Sequence, residues 1–157
     1  MEISVRITLV GLLLTHSLSL AVWVGVMLFN LIVNFPVQRA RARDMAELTS
    51  AMGAQARRAA PWLYLLMGLV AASGVGLMWR LPGALGAQAG GMVLAKWVAL
   101  GLMVLLHAWG SWSLWPRIYF ALDRERPALF LKYQLAMALS ASIGIAATAA
   151  SFWARWP

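Results

Sequence analysis

The sequence predicts an all-α integral membrane protein: a bundle of four transmembrane helices, with residues 1–157 as one domain and both termini on the periplasmic side. Three observations predict it. Of the 157 residues, 62% are hydrophobic and 11% charged, whereas a water-soluble domain has about 45–50% apolar and 25% charged residues. Four apolar stretches are each long enough to cross a bilayer core, which takes roughly 17–25 residues. The five acidic residues (Glu2, Asp44, Glu47, Asp123 and Glu125) all fall outside those stretches.

The first stretch, Ile7–Phe35, is longer than that range and so tilts or projects from the bilayer. It is too long for a signal-peptide core, and its main basic cluster follows it, so it is read as a retained anchor. The second runs Trp62–Trp79, the third Met92–Trp115 and the fourth Tyr133–Trp153. Within lipid the backbone satisfies its own polar groups, which makes these segments helices. A soluble bundle would show polar outer faces, which these segments lack. Between the first two helices, Ala40–Ala60 is alanine-rich and mildly amphipathic, as an interfacial helix would be; Leu81–Gly91 forms a short glycine-rich outer loop. Pro36, Pro61 and Pro116 mark helix ends or distortions. Trp62, Trp79, Trp97, Trp115, Trp153 and Trp156 fall near helix ends as an aromatic belt, with Trp109 and Trp112 deeper. No internal repeat stands out.

The net charge of +8 is topological. Arg39, Arg41, Arg43, Arg57 and Arg58 follow the first helix, and Arg117, Arg124, Arg126 and Lys132 follow the third. Arg6, Arg80, Lys96 and Arg155 are what the other side holds. This asymmetry places both basic segments in the cytoplasm of a bacterial inner membrane. It reads as lipid contact and gives no reason to expect a nucleic-acid partner. The absence of cysteine removes disulfides, thiolate metal sites and cysteine nucleophiles.

The two histidines, His16 and His107, are the candidate functional residues, because ionisable groups inside a membrane are usually functional. Counting inward from the expected outer interface, with Lys96 snorkelling to it, places the imidazoles roughly 14 and 16 Å deep. Equal depth on two helices suits a pair of axial ligands. The His16 face continues through Leu20, Trp23, Met27, Asn30 and Asn34; the His107 face holds Lys96, Leu100, Met103 and Ser111. Small residues line the other two helices: Gly68, Ala72, Val75 and Gly76, then Ser140, Gly144, Thr148 and Ser151 beside Met137. Such faces permit close packing, or leave room for a flat tetrapyrrole. Four readings remain open on these residues. They are interhelical hydrogen bonds, haem iron ligation by His16 and His107, a copper site using both with Met103 and Met27, and metal-free proton transfer.

The stretch from His16 through Trp23 to Gly25, followed by Pro36, resembles the first helix of the HemJ-like membrane protoporphyrinogen oxidases. It is also similar to the His-x6-Trp-x-Gly opening of the CopD-like copper-resistance membrane proteins. Arg57-Arg58-x-x-Pro61 leading to Gly74, and Lys96-Trp97-x9-His107, extend the resemblance over residues 10–115. The HemJ-like resemblance implies a haem-b enzyme that oxidises protoporphyrinogen, with His16 and Lys96 in the required positions. That family's Asn-Glu-x-Pro has no counterpart in Ala128–Ala141. The CopD-like resemblance implies copper handling instead.

The leading expectation is therefore a haem-b-binding inner-membrane redox protein, an electron carrier or a protoporphyrinogen-oxidase-like enzyme. His16 and His107 would be its iron ligands, Trp23 and Met103 its pocket, and Lys96 its propionate partner or catalytic residue. The alternatives are a copper-binding or copper-transport protein, or an accessory subunit of a larger membrane redox complex. Expected partners are the lipid bilayer, a membrane redox partner or quinone, and a second copy of the chain.

Overall fold

The structure, a computed structural model, describes residues 2–80 and 87–153. Four helices are long and apolar enough to cross a membrane: α1, Ile3–Arg41; α2, Met45–Arg80; α3, Gly90–Phe120; and α4, Arg126–Ser151. Their outward surfaces expose Leu14, Leu18, Ile32, Leu65, Leu105 and Leu139, which suits a bundle whose solvent is lipid. Arg155, Trp156 and much of the outer loop lie outside the described residues.

Each helix overruns the stretch read from hydropathy at the end where α1 meets α2 and α3 meets α4. Ala40–Ala60 is largely not a separate interfacial helix. From Met45 it forms the first turns of α2, which runs on through Pro61. Pro61 lies on the exposed face, where the carbonyl it leaves without a donor can be satisfied from outside the bundle. Asp44 caps α2 by accepting the Glu47 N–H at 2.8 Å, and the Glu47 carboxylate accepts the Arg43 N–H at 2.9 Å. Together these form a variant of the reciprocal capping box. Both tight turns break through one residue in extended backbone, Ala42 and Ala121.

The extra length forms a second core beyond the membrane-centred one. Phe35, Leu48, Met52, Ile118 and Phe130 cluster at the basic end, with Trp115 and Tyr133 against them. Trp115, expected at a helix end, instead packs against Tyr133 with the rings tilted and 5.3 Å apart, because α3 continues to Phe120. Trp112, expected deeper than the belt, is 72% exposed and lies 6.1 Å from Tyr64. Tyr64 in turn lies two residues beyond Trp62, which puts Trp112 near the inner belt. Trp79 and Trp153 are exposed near the opposite helix ends, as an interfacial belt requires.

The odd helices share a device that their sequences conceal. In α1, residues Asn30–Asn34 make a π-helical turn just before Phe35-Pro36; in α3, Trp109–Leu114 do the same before Trp115-Pro116. A proline inside a helix cannot donate and crowds the carbonyl four residues earlier. The wider turn relieves this, with Phe35 N–H donating to Asn30 O and Trp115 N–H to Gly110 O. The inserted residue also rotates the chain, so that Asn34 and Phe35 are both buried.

Helix α1 packs against α2 and α4, and α3 packs against α4. Thus α1 and α3 sit diagonally and meet through contacts at the bundle centre, Trp23 against His107 among them. Gly144 makes the centre compact: a Cβ there would lie 2.7 Å from Val24 Cγ2 and 3.0 Å from Met103 Cε. The backbones of α2 and α3 approach mainly at their inner ends, where Gly53 lies against Trp115.

Candidate functional site

The polar stripe of α1 faces inward as its spacing predicts. Trp23, Met27 and Asn34 are buried, and Asn30 is half-buried. Asn30 donates to Val26 O at 2.9 Å, while Asn34 donates to Asn30 Oδ1 at 2.7 Å and to Gln55 Oε1 at 2.9 Å. This amide chain satisfies side chains that a bare apolar interior would leave unpaired. On α2 the inward face is Met67, Val70, Ser73 and Gly74. Gly68, Ala72 and Val75, expected to face a cofactor, are exposed instead.

His16 is held by α2. Its Nδ1 lies 3.0 Å from Val70 O and 3.1 Å from Ser73 Oγ. A carbonyl only accepts, so Nδ1 carries the hydrogen and Nε2 is left with its lone pair. A Cβ on Gly74 would stand 3.4 Å from the His16 ring and 3.8 Å from Trp97, so this glycine gives the imidazole its room. Trp97 Nε1 donates to Met78 Sδ at 3.1 Å in the same layer.

His107 occupies a different layer. Its ring is edge-on to Tyr64 at 5.6 Å and to Trp23 at 6.4 Å. From these contacts to those of His16 is six to ten residues along α2, and the offsets on α1 and α3 are similar. At 1.5 Å per residue the two imidazoles are about 10–15 Å apart along the bundle axis. The equal-depth expectation is corrected, and imidazoles this far apart cannot both be axial ligands of one haem iron, which needs their nitrogens within a few ångströms of each other. The error lies in the reference points. Depth was counted from residue 7 on the first helix and from Lys96, taken as the outer interface, on the third, whereas the helices begin at Glu2 and Ala87. Lys96 is exposed on α3 and borders a small cavity of about 220 Å³ with Met92 and Ile143, between α3 and α4. It is within electrostatic range of His16, but it does not line the main cavity.

What the structure brings together is sulfur. Met27, Met67 and Met103 are buried in one cluster with Trp23, and Met137 packs against it. Each of the four helices contributes one thioether. Immediately below, a cavity of about 460 Å³ extends toward the basic end, lined by Met27, Met52, Met137, His107, Asn30 and Tyr133 among others. Met67 and Met137 were not singled out as ligands from sequence, because nine methionines in an apolar chain read as packing. Among the described residues, no group of three or more His, Cys, Asp or Glu side chains could hold a metal. Any metal in this interior would therefore rely on thioether and imidazole donors. These neutral, soft ligands suit monovalent copper and offer little to a hard dication.

No curated protein and no solved structure matches the chain. A protein-family match covers residues 53–154, more than half of the sequence, from the first turns of α2 to the end of α4. The chain therefore belongs to the family described as copper resistance protein D.

Proposed function

We propose that this protein binds copper within the bilayer and passes it along the bundle axis, as monovalent ion, between thioether and imidazole ligands. The observation that carries the reading is the central cluster to which every helix supplies a methionine, Met27, Met67, Met103 and Met137, with His107 beside Trp23. Thioethers are neutral and polarizable, so they can hold a soft monovalent ion without the buried carboxylates that a hard dication would require. The face of Trp23 adds a cation-attracting surface at the same level.

His16 forms an outer station. The Val70 carbonyl fixes its tautomer and leaves Nε2 as a donor atom toward a metal. Met78 lies in the same outer layer, and Met52 continues the series below the centre. Weak, serial sites of this kind let an ion enter and leave, whereas a single tight site would trap it. By the positive-inside rule, the His16 end faces the periplasm of a bacterial inner membrane.

The reading is tested on purified protein in detergent by competition with a chromophoric copper(I) chelator under reducing conditions. At least one copper(I) per chain is expected, with His107→Ala lowering the affinity by about tenfold or more. A chain that withdraws no copper from the chelator contradicts the reading.

A further inference from the structure

At the basic end of the cavity, two donor groups from different helices meet with nothing to accept from them. Gly53 and Arg57 stand one turn apart on α2, and Trp115 faces them from α3; all three line the cavity. A Cβ on Gly53 would lie 3.5 Å from Trp115 Nε1 and 3.6 Å from Arg57 Nη1. Both nitrogens thus border one spot. The oxygens of a single carboxylate or phosphate, each about 2.7–2.9 Å from its donor, can reach the two together. Among the described residues neither nitrogen has a hydrogen-bond partner, and Trp115 Nε1 is accessible where Trp23 Nε1 is sealed.

An indole N–H and a guanidinium only donate, so what they lack is an acceptor, and the charge of Arg57 favours an anionic one. The surrounding chain does not supply it. No Asp or Glu lines the cavity, while nearby Glu47 pairs with Arg43 and Asp123 with Arg126. Access is from the basic end. Arg57 is exposed and sits five residues before Trp62, about 7–8 Å beyond the inner aromatic belt. A solute therefore reaches it from water without crossing lipid. Gly53 keeps the spot open: an alanine methyl there would make ordinary contacts of 3.4–3.6 Å with both side chains, filling it without straining the helices.

We infer that Arg57 and Trp115 form a site for a small oxyanion from the cytoplasmic water, a carboxylate or inorganic phosphate, whose oxygens accept from both nitrogens beside Gly53. The phosphate of an inner-leaflet lipid shares this chemistry, and the experiment below separates the two sources. The site needs no metal, so it stands or falls independently of copper binding.

The indole N–H resonances of the nitrogen-labelled full chain, metal-free in dodecyl maltoside micelles, are followed during titration with inorganic phosphate at constant ionic strength. The Trp115 resonance is the one lost in Trp115→Phe, and a saturable shift of it is expected. Arg57→Gln should weaken the binding about tenfold or more, through loss of a charge-assisted hydrogen bond. Gly53→Ala should also weaken it, with the melting temperature kept. Arg58→Gln removes the same charge from an exposed neighbour outside the cavity wall and should leave binding largely unchanged. Three results would each overturn the assignment. They are the absence of a saturable shift, equal weakening by Arg57→Gln and Arg58→Gln, which would mark diffuse charge, and displacement of phosphate by one equivalent of dioleoylphosphatidylglycerol, which would mark a lipid headgroup site.

Discussion

Leucine at both Met27 and Met103 is expected to lower copper(I) affinity by roughly a hundredfold or more while leaving the fold intact. Both side chains are buried in the central cluster, Met103 at 2% exposure and Met27 at 5%. Exchange of methionine for leucine nearly conserves volume and costs less than about 1.5 kcal/mol per site. Packing therefore survives while the sulfur is lost. Disturbing even the groups that orient a metal's ligands weakens binding about 10–100-fold, and removing two ligands should do at least as much. Chelator competition reads the affinity and thermal melting in detergent reads the fold. Unchanged affinity in a stable double variant would assign these methionines to packing alone.

Gly144→Ala is expected to destabilise the bundle although alanine is the better helix former. Its methyl would sit 2.7 Å from Val24 Cγ2, closer than side-chain atoms approach, and 3.0 Å from Met103 Cε. The tip of a methionine can move aside, but valine on a helix has one favoured rotamer. Helices α1 and α4 must then part. Overpacking of this kind costs about 1–3 kcal/mol, against a propensity gain of about 1 kcal/mol. A lower melting temperature follows, together with weaker copper binding because Met103 is displaced. Gly101→Ala, where nothing lies within 4 Å, should be neutral or slightly stabilising. Equal melting of the two variants would show that the close contact at Gly144 does not limit the packing.

Most of the architecture was legible because bilayer chemistry is written in composition. Four apolar runs free of acidic residues fixed the number of helices, and the spacing of Trp23, Met27 and Asn34 fixed the inward face of α1. Helix ends were harder to read. Hydropathy stops at the lipid boundary, whereas α2 continues well beyond it because Leu48 and Met52 bury themselves against Phe35 and Ile118. That misreading propagated into depth: with the helix starts misplaced, His16 and His107 looked level although they belong to separate layers. The π turns before Pro36 and Pro116 were hidden for another reason, since the insertion changes rotation and not residue type. A proline placed alike after the apolar run of both odd helices was the available signal.

Family membership emerged from a part of the chain that the residue motifs had used only partly. The resemblance was read over residues 10–115, from His16 and Trp23 to His107, while the match extends from residue 53 through α4. Short motifs single out unusual residues, and α4 has few of them. Its contribution lies in small side chains at Gly144 and Ser140 and in Met137, which acquire meaning once they face the other three helices.

A copper ion is expected at the methionine cluster of the bundle centre. X-ray absorption on the copper(I)-loaded wild-type protein in detergent measures it most directly. The expected first coordination sphere contains at least two sulfur neighbours with an imidazole nitrogen, and it loses the sulfur signal when Met27 and Met103 are both leucine. A sphere of nitrogen and oxygen alone, or one that keeps its sulfur in that variant, would contradict it.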